Sequence, residues 1–333
     1  MKKANVIDRI FHGGLPASPR NQKGLAFAPT NIALCKYWGK RDIELNLPVT
    51  SSLSIALPDK GTMTYLSLQD KATDTILVND EEIALTTPFA ERLVCYLDLF
   101  RPKKNWHLHI DIKINIPIAA GLASSASGFA SLVAALNDLG AWSLTKQQLS
   151  ILARLGSGSA ARSFWMGFVE WNAGVQSDGM DSFAMPLDIE WPELRVGILT
   201  LSNKEKPISS REAMQRTVNS SVLYSAWPKK IAQDLAILKQ AIHVKNFSLL
   251  AGTAESNALT MHATMLSSWP PICYSLPETL AAMRKVWELR HEGLEVYFTQ
   301  DAGPNLKLLF LEKNQAELTE AFPDMEVISV FEG

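Results

Sequence analysis

The chain has 333 residues, 47% of them hydrophobic, which is enough to bury a sizeable core in one large or two medium domains. Its 32 basic and 34 acidic residues nearly balance, so no broad positive field is present to attract nucleic acid or an anionic membrane. The three cysteines, Cys35, Cys95 and Cys273, lack paired spacing, which argues against a disulfide framework and a zinc site. With no signal peptide and no apolar run long enough to cross a bilayer, we expect a soluble, cytoplasmic protein that binds a small molecule.

Residues 105–116, NWHLHIDIKINI, alternate apolar and polar side chains, which is the period-two pattern of a half-buried strand. His107 and His109 share its polar face, and because no carboxylate or third histidine is close in sequence, we interpret them as solvated. The chain then passes through glycines and serines into an apolar run with helical spacing, which we expect to end near Gly140. This run contains Phe129, Leu132, Val133 and Leu136.

Further helix and strand patterns follow along the chain. Thr145 and Gln148 are spaced as a capping box and predict the start of a helix. A strand is predicted around 190–200, in LRVGILTL, followed by a helix whose apolar stripe is Ile231, Leu235, Leu238 and Ile242. Residues 275–292 are helical in pattern, and LEVYFTQDAGPNLKLLFLE predicts two strands around a Gly-Pro turn. We therefore expect a separate α+β unit after a boundary near 185–195.

The segment IPIAAGLASSASGF combines a loop of small residues with the start of a helix. Unpaired backbone N–H groups at the positive end of a helix dipole stabilise an anion. Gly121 and Gly128 allow close approach, and the hydroxyls of Ser124, Ser125 and Ser127 are able to donate to phosphate or hold Mg²⁺. Without a GKS or GKT sequence this is not a Walker A loop. Tight packing of a helix on a sheet is the alternative reason for such small residues.

Two more segments carry groups that suit anions. Residues 154–171 repeat the small-residue theme at Ser157, Gly158 and Ser159 and then add Arg162, whose planar fork suits carboxylate or phosphate. An ordinary surface helix that begins with an arginine is the alternative. Residues 28–57 carry polar, cationic and aromatic side chains among apolar strand residues. These side chains are Asn31, Lys36, Tyr37, Trp38, Lys40 and Arg41.

Six blocks in the same order between residues 28 and 305 resemble the mevalonate diphosphate decarboxylase family of the GHMP kinase superfamily. The blocks are APTNIALCKYWGKRD, AAGLASSASGF, GSGSAARS, SSREAMQRTV, ESNALTMHATML and YFTQDAGPN. The resemblance implies an α+β, two-layer α/β GHMP kinase fold of two domains, an ATP-binding domain at 1–190 and an α+β domain at 191–333. It also implies an active-site cleft between the domains and a homodimer.

The activity implied by the resemblance is ATP-dependent decarboxylation of mevalonate 5-diphosphate to isopentenyl diphosphate through transient 3-phosphorylation, with release of ADP, phosphate and CO₂. ATP and Mg²⁺ would be its cofactors. Three alternatives stay open: a decarboxylase of mevalonate 5-monophosphate, a mevalonate 3-kinase, and an inactive GHMP protein that only binds ligands. Retention of several charged residues in the matched blocks argues against an inactive protein.

The resemblance also implies residue roles. Asp301, which the residues alone would favour as a turn aspartate, corresponds to the group that orients or deprotonates the hydroxyl, with Lys40 supporting it and the transferring phosphoryl. Arg162 and Asn31 would hold the substrate carboxylate. Contacts to the substrate diphosphate would come from Tyr37, Ser157, Gly158, Ser159, Arg162, Ser210 and Arg211. Contacts to ATP would come from Gly121, Leu122, Ala123, Ser124, Ser125 and Ser127, with Ser125 also on Mg²⁺. Trp38 and His262 are interpreted as packing residues.

Overall fold

The structure, a computed structural model, describes residues 1–12, 14–102, 106–116, 124–204 and 206–331. Its α-helices are α1 (Lys3–Ile10), α2 (Pro88–Leu97), α3 (Ser124–Gly140), α4 (Lys146–Gly156), α5 (Ser210–Ser220), α6 (Trp227–His243), α7 (Phe247–Leu266), α8 (Pro277–His291) and α9 (Gln315–Ala321). Within the described ranges, no helix is both long and apolar enough to cross a membrane.

Strands of the first half form one large sheet and one small one. They are β1 (Lys23–Cys35), β2 (Lys40–Asp42), β3 (Leu47–Pro48), β4 (Ser52–Gln69), β5 (Thr75–Val78), β6 (Glu81–Glu82), β7 (His107–Ile114), β8 (Phe168–Trp171) and β9 (Ala184–Pro186). The large sheet has the order β6-β5-β7-β4-β8-β9, and β1 pairs with the long strand β4 as well. Its pairs are antiparallel except β5 with β7. Strands β2 and β3 form the separate two-stranded sheet.

The second half contains a four-stranded antiparallel sheet. Its strands are β10 (Leu194–Leu199), β11 (Val296–Gln300), β12 (Leu306–Leu311) and β13 (Glu326–Ser329), in the order β11-β12-β10-β13. Buried residues of α8 and α9 cover one face, whereas α6 and α7 share a core with residues of the other face. Layers of helices on antiparallel sheets confirm the predicted α+β class.

The periodicity predictions are confirmed where the structure describes the chain. Strand β7 alternates buried and half-buried residues, and α3 follows and ends at Gly140 as expected. The Thr145 hydroxyl accepts from the main-chain N–H of Gln148, so the predicted capping box begins α4. The two strands around the Gly-Pro turn are β11 and β12.

The interval between the two large sheets contains the predicted domain boundary. The first sheet ends with β9, and the second begins with β10. However, one apolar core joins the two halves, because it contains Ile32 of β1, Phe168 of β8 and Val196 of β10 together with residues of α6 and α7. Division of the chain into units 1–190 and 191–333 therefore stays a prediction.

The strand ends determine where the polar side chains of interest lie. Strand β1 ends at Cys35, so Lys36 is the first residue beyond it, and β11 ends at Gln300, immediately before Asp301. A 3-10 turn, Gly158–Arg162, follows α4. These three segments meet at one cavity.

Candidate active site

A cavity of about 740 Å³ is lined by residues from both halves of the chain. The first half contributes Asn31, the Lys36–Lys40 segment and the loop that follows α4, and the second half contributes residues near 203–214 and 301–304. Among the described residues the lining contains seven basic side chains and one acidic side chain, Asp301. The basic side chains are Lys36, Lys40, Arg92, Arg162, Lys204, Lys206 and Arg211. Such an excess of positive charge in a partly enclosed cavity suits polyanionic ligands.

Asp301 lies between two buried lysines. Its Oδ1 accepts a hydrogen bond from Lys36 Nζ at 2.7 Å, and its Oδ2 lies 3.4 Å from Lys307 Nζ. Burial alone would raise the pKa of Asp301, but the two ammonium groups outweigh burial and hold the pKa well below its usual range. Burial lowers the pKa of both lysines, and the neighbouring carboxylate opposes that shift. Asp301 is therefore an ionised, oriented carboxylate at neutral pH.

Lys40, predicted to support Asp301 and the transferring phosphoryl group, makes no hydrogen bond to Asp301 in the described structure. Lys40 lines the same cavity, but its Nζ donates to Asn46 Oδ1 at 2.7 Å, and Lys36 occupies the place beside Asp301. The two lysines differ in backbone position: Lys36 directly follows β1 and its Nζ contacts Asp301, whereas Lys40 begins β2 after Gly39, whose φ is 123°. Burial, followed by the charges of Arg211 and Lys3, lowers the pKa of Lys40 to about 8.

Arg162 and Asn31 are brought together as expected. Both Nε and Nη2 of Arg162 donate to Asn31 Oδ1 at 3.2 Å, and Asn31 Nδ2 donates to the Ser163 hydroxyl at 2.8 Å. Arg162 Nη1 also donates to the Ser52 hydroxyl. Burial lowers the pKa of Arg162 to about 10, so the guanidinium stays charged near neutral pH. The pair offers a carboxylate a fixed cation with a polar neighbour.

Two buried polar atoms on the cavity wall have no hydrogen-bond partner in the described part of the chain: the Tyr37 hydroxyl and Trp38 Nε1. The Tyr37 ring packs edge-on against Trp171 at a centroid distance of 4.8 Å, which fixes its direction. A buried donor without a partner costs about 1–3 kcal/mol, so both atoms favour a ligand that completes their bonding. Trp38, interpreted from sequence as packing alone, thus also lines the site.

Serine hydroxyls form a short row along the cavity. Ser125 Oγ lies 3.3 Å from Ser157 Oγ, which lies 3.2 Å from Ser159 Oγ, and all three residues line the cavity with Gly158. Hydroxyl groups in such a row are able to donate to phosphate oxygens.

Serines at the start of α3 separate into two faces. Ser127 is fully buried, its hydroxyl lies 2.8 Å from that of Thr62 on β4, and it is absent from the described cavity lining. Two residues along a helix are about 200° apart, so Ser125 and Ser127 face opposite ways. The predicted ATP contact of Ser127 is therefore not supported by its position. Ser124 is the first residue of α3, and Gly121, Leu122 and Ala123 lie outside the described residues.

The second half supplies the opposite wall of the cavity. Ser210 and Arg211 at the start of α5, which the resemblance implies as substrate contacts, both line the cavity. Lys206 Nζ lies 3.2 Å from the Ser210 hydroxyl and donates to the main-chain oxygen of Ala302 at 2.8 Å, so it connects this wall to the segment after Asp301.

A magnesium ion would find few carboxylates here. In the ranges that the structure describes, no group of three or more His, Cys, Asp or Glu side chains is arranged to hold a metal, and this includes His107 and His109. Mg²⁺ is commonly bound by one or two protein oxygens together with substrate phosphates and water. The Ser125 hydroxyl, on the cavity wall, fits that type of site.

Some cavity residues were missing from the site predicted by sequence. Lys36 and Trp38 lie within the matched block KYWGK, in which the resemblance implies roles for Tyr37 and Lys40 only. Arg92 of α2 and Lys206 had no local motif around them, and only the fold brings them to the cavity.

Two family descriptions match the chain. Residues 28–184 match the diphosphomevalonate decarboxylase-like N-terminal domain, and residues 196–329 match the mevalonate 5-diphosphate decarboxylase C-terminal domain. The two matched ranges together contain the described cavity lining from both halves.

Individual relatives cover most of the chain. Diphosphomevalonate decarboxylase mvd1 of Aspergillus fumigatus is 39% identical over 310 residues, which are 86% of this chain and 76% of the relative. The crystal structure of mevalonate diphosphate decarboxylase from Staphylococcus aureus has a TM-score of 0.87 at 37% identity, covering 93% of this chain and 96% of that chain. A structure of MDDEF in complex with MVAPP, AMPPCP and magnesium has a TM-score of 0.86 at 38% identity, with coverage of 92% and 96%.

Proposed function

The chain belongs to the diphosphomevalonate decarboxylase family, and from this premise we propose that it catalyses ATP-dependent decarboxylation of mevalonate 5-diphosphate to isopentenyl diphosphate. The observation that carries the proposal is the cavity lining, in which the Lys36–Asp301 pair and the Arg162–Asn31 pair lie among five further basic side chains. The hydroxyl, the carboxylate and the phosphate groups of the reactants each have a group of suitable chemistry there.

A saturated 3-hydroxy acid is difficult to decarboxylate because it has no carbonyl group at C3 to accept the electrons that CO₂ leaves behind. Phosphorylation of the tertiary hydroxyl provides a leaving group instead. As phosphate departs, positive charge develops at C3, and loss of CO₂ delivers the electrons that form the alkene. The protein therefore has to orient the hydroxyl, neutralise the phosphates and hold the carboxylate in one place.

Asp301 is proposed to orient the hydroxyl by accepting its hydrogen bond. Because Lys36 and Lys307 hold its pKa well below the usual range, Asp301 is a weak base. Phosphoryl transfer through a loose transition state needs little base assistance, so orientation is sufficient. Lys36 is at the same time a fixed cation for the charge on the transferring phosphoryl group.

The carboxylate and the phosphates are proposed to bind to separate groups. Arg162, steadied by Asn31, holds the carboxylate. The second phosphate of the diphosphate is proposed to bind to Lys40, Arg92 and Arg211, with the hydroxyls of Tyr37, Ser157 and Ser159 as neutral donors. A binding site with this many donors favours the diphosphate over the monophosphate.

ATP and Mg²⁺ are proposed as cofactors, because the MDDEF relative is described in complex with AMPPCP and magnesium. When bound, Mg²⁺ would neutralise phosphate charge during transfer. Ser125 is proposed to contribute a protein oxygen to the ion, and Ser124 and the 121–123 segment stay predicted ATP contacts. The Arg162–Asn31 pair, proposed to hold the substrate carboxylate, favours decarboxylation over simple 3-phosphorylation.

The function is tested by measuring CO₂ release with Mg·ATP from carboxyl-labelled mevalonate 5-diphosphate. The same assay with the 5-monophosphate gives the comparison. We expect the diphosphate to give a kcat/KM at least about 100-fold higher, because it engages additional cations. Asp301→Ala should reduce CO₂ release about 10³-fold or more. Preference for the monophosphate, or no turnover of either compound, would contradict the proposal.

A homodimer and a cytoplasmic location are proposed as well. The cysteines are all free, with Cys95 and Cys273 exposed, which agrees with a reducing compartment. Sedimentation velocity of the purified protein should give twice the mass of one chain.

A further inference from the structure

Helix α7 contacts the main chain at both members of the central ion pair. The Asn257 side-chain oxygen accepts a hydrogen bond from the Lys36 main-chain N–H at 2.9 Å. Further along the same helix, His262 Nε2 lies 3.1 Å from the main-chain oxygen of Asp301, and because that oxygen only accepts, Nε2 carries the hydrogen. One helix thus holds both chain segments whose side chains meet at 2.7 Å.

Asn257 supplies a hydrogen-bond acceptor that the sheet does not provide for the main-chain N–H of Lys36. The last paired residue of β1 is Cys35, opposite Leu53, so the N–H of Lys36 lies just beyond the sheet pairing. Lys36 is 2% exposed, and a buried N–H without a partner costs about 1–3 kcal/mol. Asn257, itself fully buried, supplies that partner from the second half of the chain.

A buried carboxylate decides which way the Asn257 amide faces. Asn257 Nδ2 donates to Asp234 Oδ2 at 2.6 Å, and Asp234 accepts from Lys230 Nζ at 2.6 and 2.8 Å. An ionised carboxylate only accepts, so it requires the amide NH₂ group on its own side. The amide oxygen is then left to face Lys36. Asp234 is 3% exposed, and burying a charge this deeply is costly unless the charge is paired and hydrogen-bonded, as it is here by Lys230 and Asn257.

We propose that Asn257 and His262 are positioning residues that set the separation between the Lys36 ammonium and the Asp301 carboxylate. The inference rests on the proposed function, in which this pair contacts the reacting hydroxyl and phosphoryl groups. A misplacement of about 1 Å in such a site costs about 100-fold in rate. Asn257 and His262 contact the main chain of Lys36 and Asp301, whereas Lys40 is held by Asn46, and Arg92 and Arg211 lie on other helices. We therefore expect kcat to fall much more than KM changes.

Swapping the amide and the carboxylate between positions 257 and 234 distinguishes a positioning role of Asn257 from a role in packing alone. Asn257→Asp sets two carboxylates against each other, and kcat should fall about 30- to 100-fold. The double variant Asp234→Asn/Asn257→Asp restores one donor and one acceptor at this contact, and kcat should return to within about fivefold of the parent. His262→Leu should lower kcat more than His262→Gln, which keeps a donor. The control is Thr264→Val, because this buried α7 hydroxyl donates to the main-chain oxygen of Met261 within its own helix.

The measurement is kcat per binding-competent site, with the number of sites obtained by calorimetric titration with AMPPCP. We expect the Asn257→Asp variant to keep its site number and its KM for mevalonate 5-diphosphate within about threefold, and to lose kcat per site. A purely structural role would reduce the number of sites and leave kcat per site unchanged, and this result would overturn the inference. A parent protein that binds AMPPCP but releases no CO₂ would overturn the proposed function, and the inference with it.

Discussion

At the scale of single residues, the cavity contains one carboxylate beside two buried ammonium groups. Lys36 and Lys307 have side chains 2% and 1% exposed, and the Asp301 side chain is 24% exposed. The carboxylate is therefore needed both for the proposed chemistry and for keeping two positive charges in the interior.

Replacement of this carboxylate should destabilise the protein. Removing one partner of a buried ion pair costs about 3–5 kcal/mol, and because Asp301 is partly exposed we expect Asp301→Asn to lower the free energy of unfolding by about 2–3 kcal/mol. Urea denaturation of the ligand-free protein measures the change. Asp188→Asn, the same substitution at an exposed position, should stay within about 0.5 kcal/mol of the parent. Equal effects of the two substitutions would contradict a charged, buried Lys36–Asp301–Lys307 cluster.

Lys40 should make substrate affinity depend on pH. Because burial and the charges of Arg211 and Lys3 lower its pKa to about 8, Lys40 is cationic below that pH and loses its charge above it. The KM for mevalonate 5-diphosphate at saturating Mg·ATP should rise about tenfold between pH 8 and 9.5, as the cation is lost. Lys40→Arg, which stays protonated, should largely remove the rise. An identical rise in both proteins would show that another group titrates.

The choice between Lys36 and Lys40 shows what sequence alone leaves open. Both lysines lie in KYWGK, with equal chemistry and similar neighbours. Only the place where β1 ends, and the long-range approach of Asp301, decide which of them forms the ion pair. Arg162 and Asn31 were predictable because both belong to motifs with a recognisable role.

At the scale of elements, local signals were predictable and long-range pairing was not. Capping at Thr145, the alternation in β7 and the helical stripe of α6 follow from residues close together in sequence. The pairing of β4 with β1, β7 and β8 depends on contacts far apart along the chain, and no local pattern encodes it. That Ser125 and Ser127 face opposite sides of α3 could not be predicted without knowing that the helix begins at Ser124.

The turn after α4 should depend on the absence of a side chain at Gly158. A Cβ there would lie 2.7 Å from the Tyr37 hydroxyl, closer than such atoms approach, so the ring would have to move. We expect Gly158→Ala to raise the KM for mevalonate 5-diphosphate about tenfold, since Tyr37 and the serine row are displaced together. The KM from initial rates at saturating Mg·ATP provides the test.

A matched control for that substitution lies inside α7. A Cβ on Gly252 would lie 3.5 Å from the Tyr297 ring, an ordinary contact. Gly252→Ala should leave KM unchanged and raise the free energy of unfolding by about 0.5–1 kcal/mol, because alanine favours a helix. A KM for Gly158→Ala equal to that of Gly252→Ala would contradict the proposed role of the turn.

At the scale of the whole molecule, the cavity depends on both halves being held together. The core that joins residues of β1, β8, α6, α7 and β10 keeps Lys36 and Asp301 in contact although they are 265 residues apart. Sequence motifs predicted that both segments contribute to one site, but the route of contact through α7 became visible only in the structure.

The stoichiometry of a single turnover tests the central claim most directly. The protein is mixed in excess with limiting carboxyl-labelled mevalonate 5-diphosphate and Mg·ATP, and CO₂, ADP and free phosphate are quantified together. The account predicts equal amounts of the three products, and loss of all three with Asp301→Ala. ADP formed without CO₂ and free phosphate would show a kinase that stops at 3-phosphorylation, and would contradict the account.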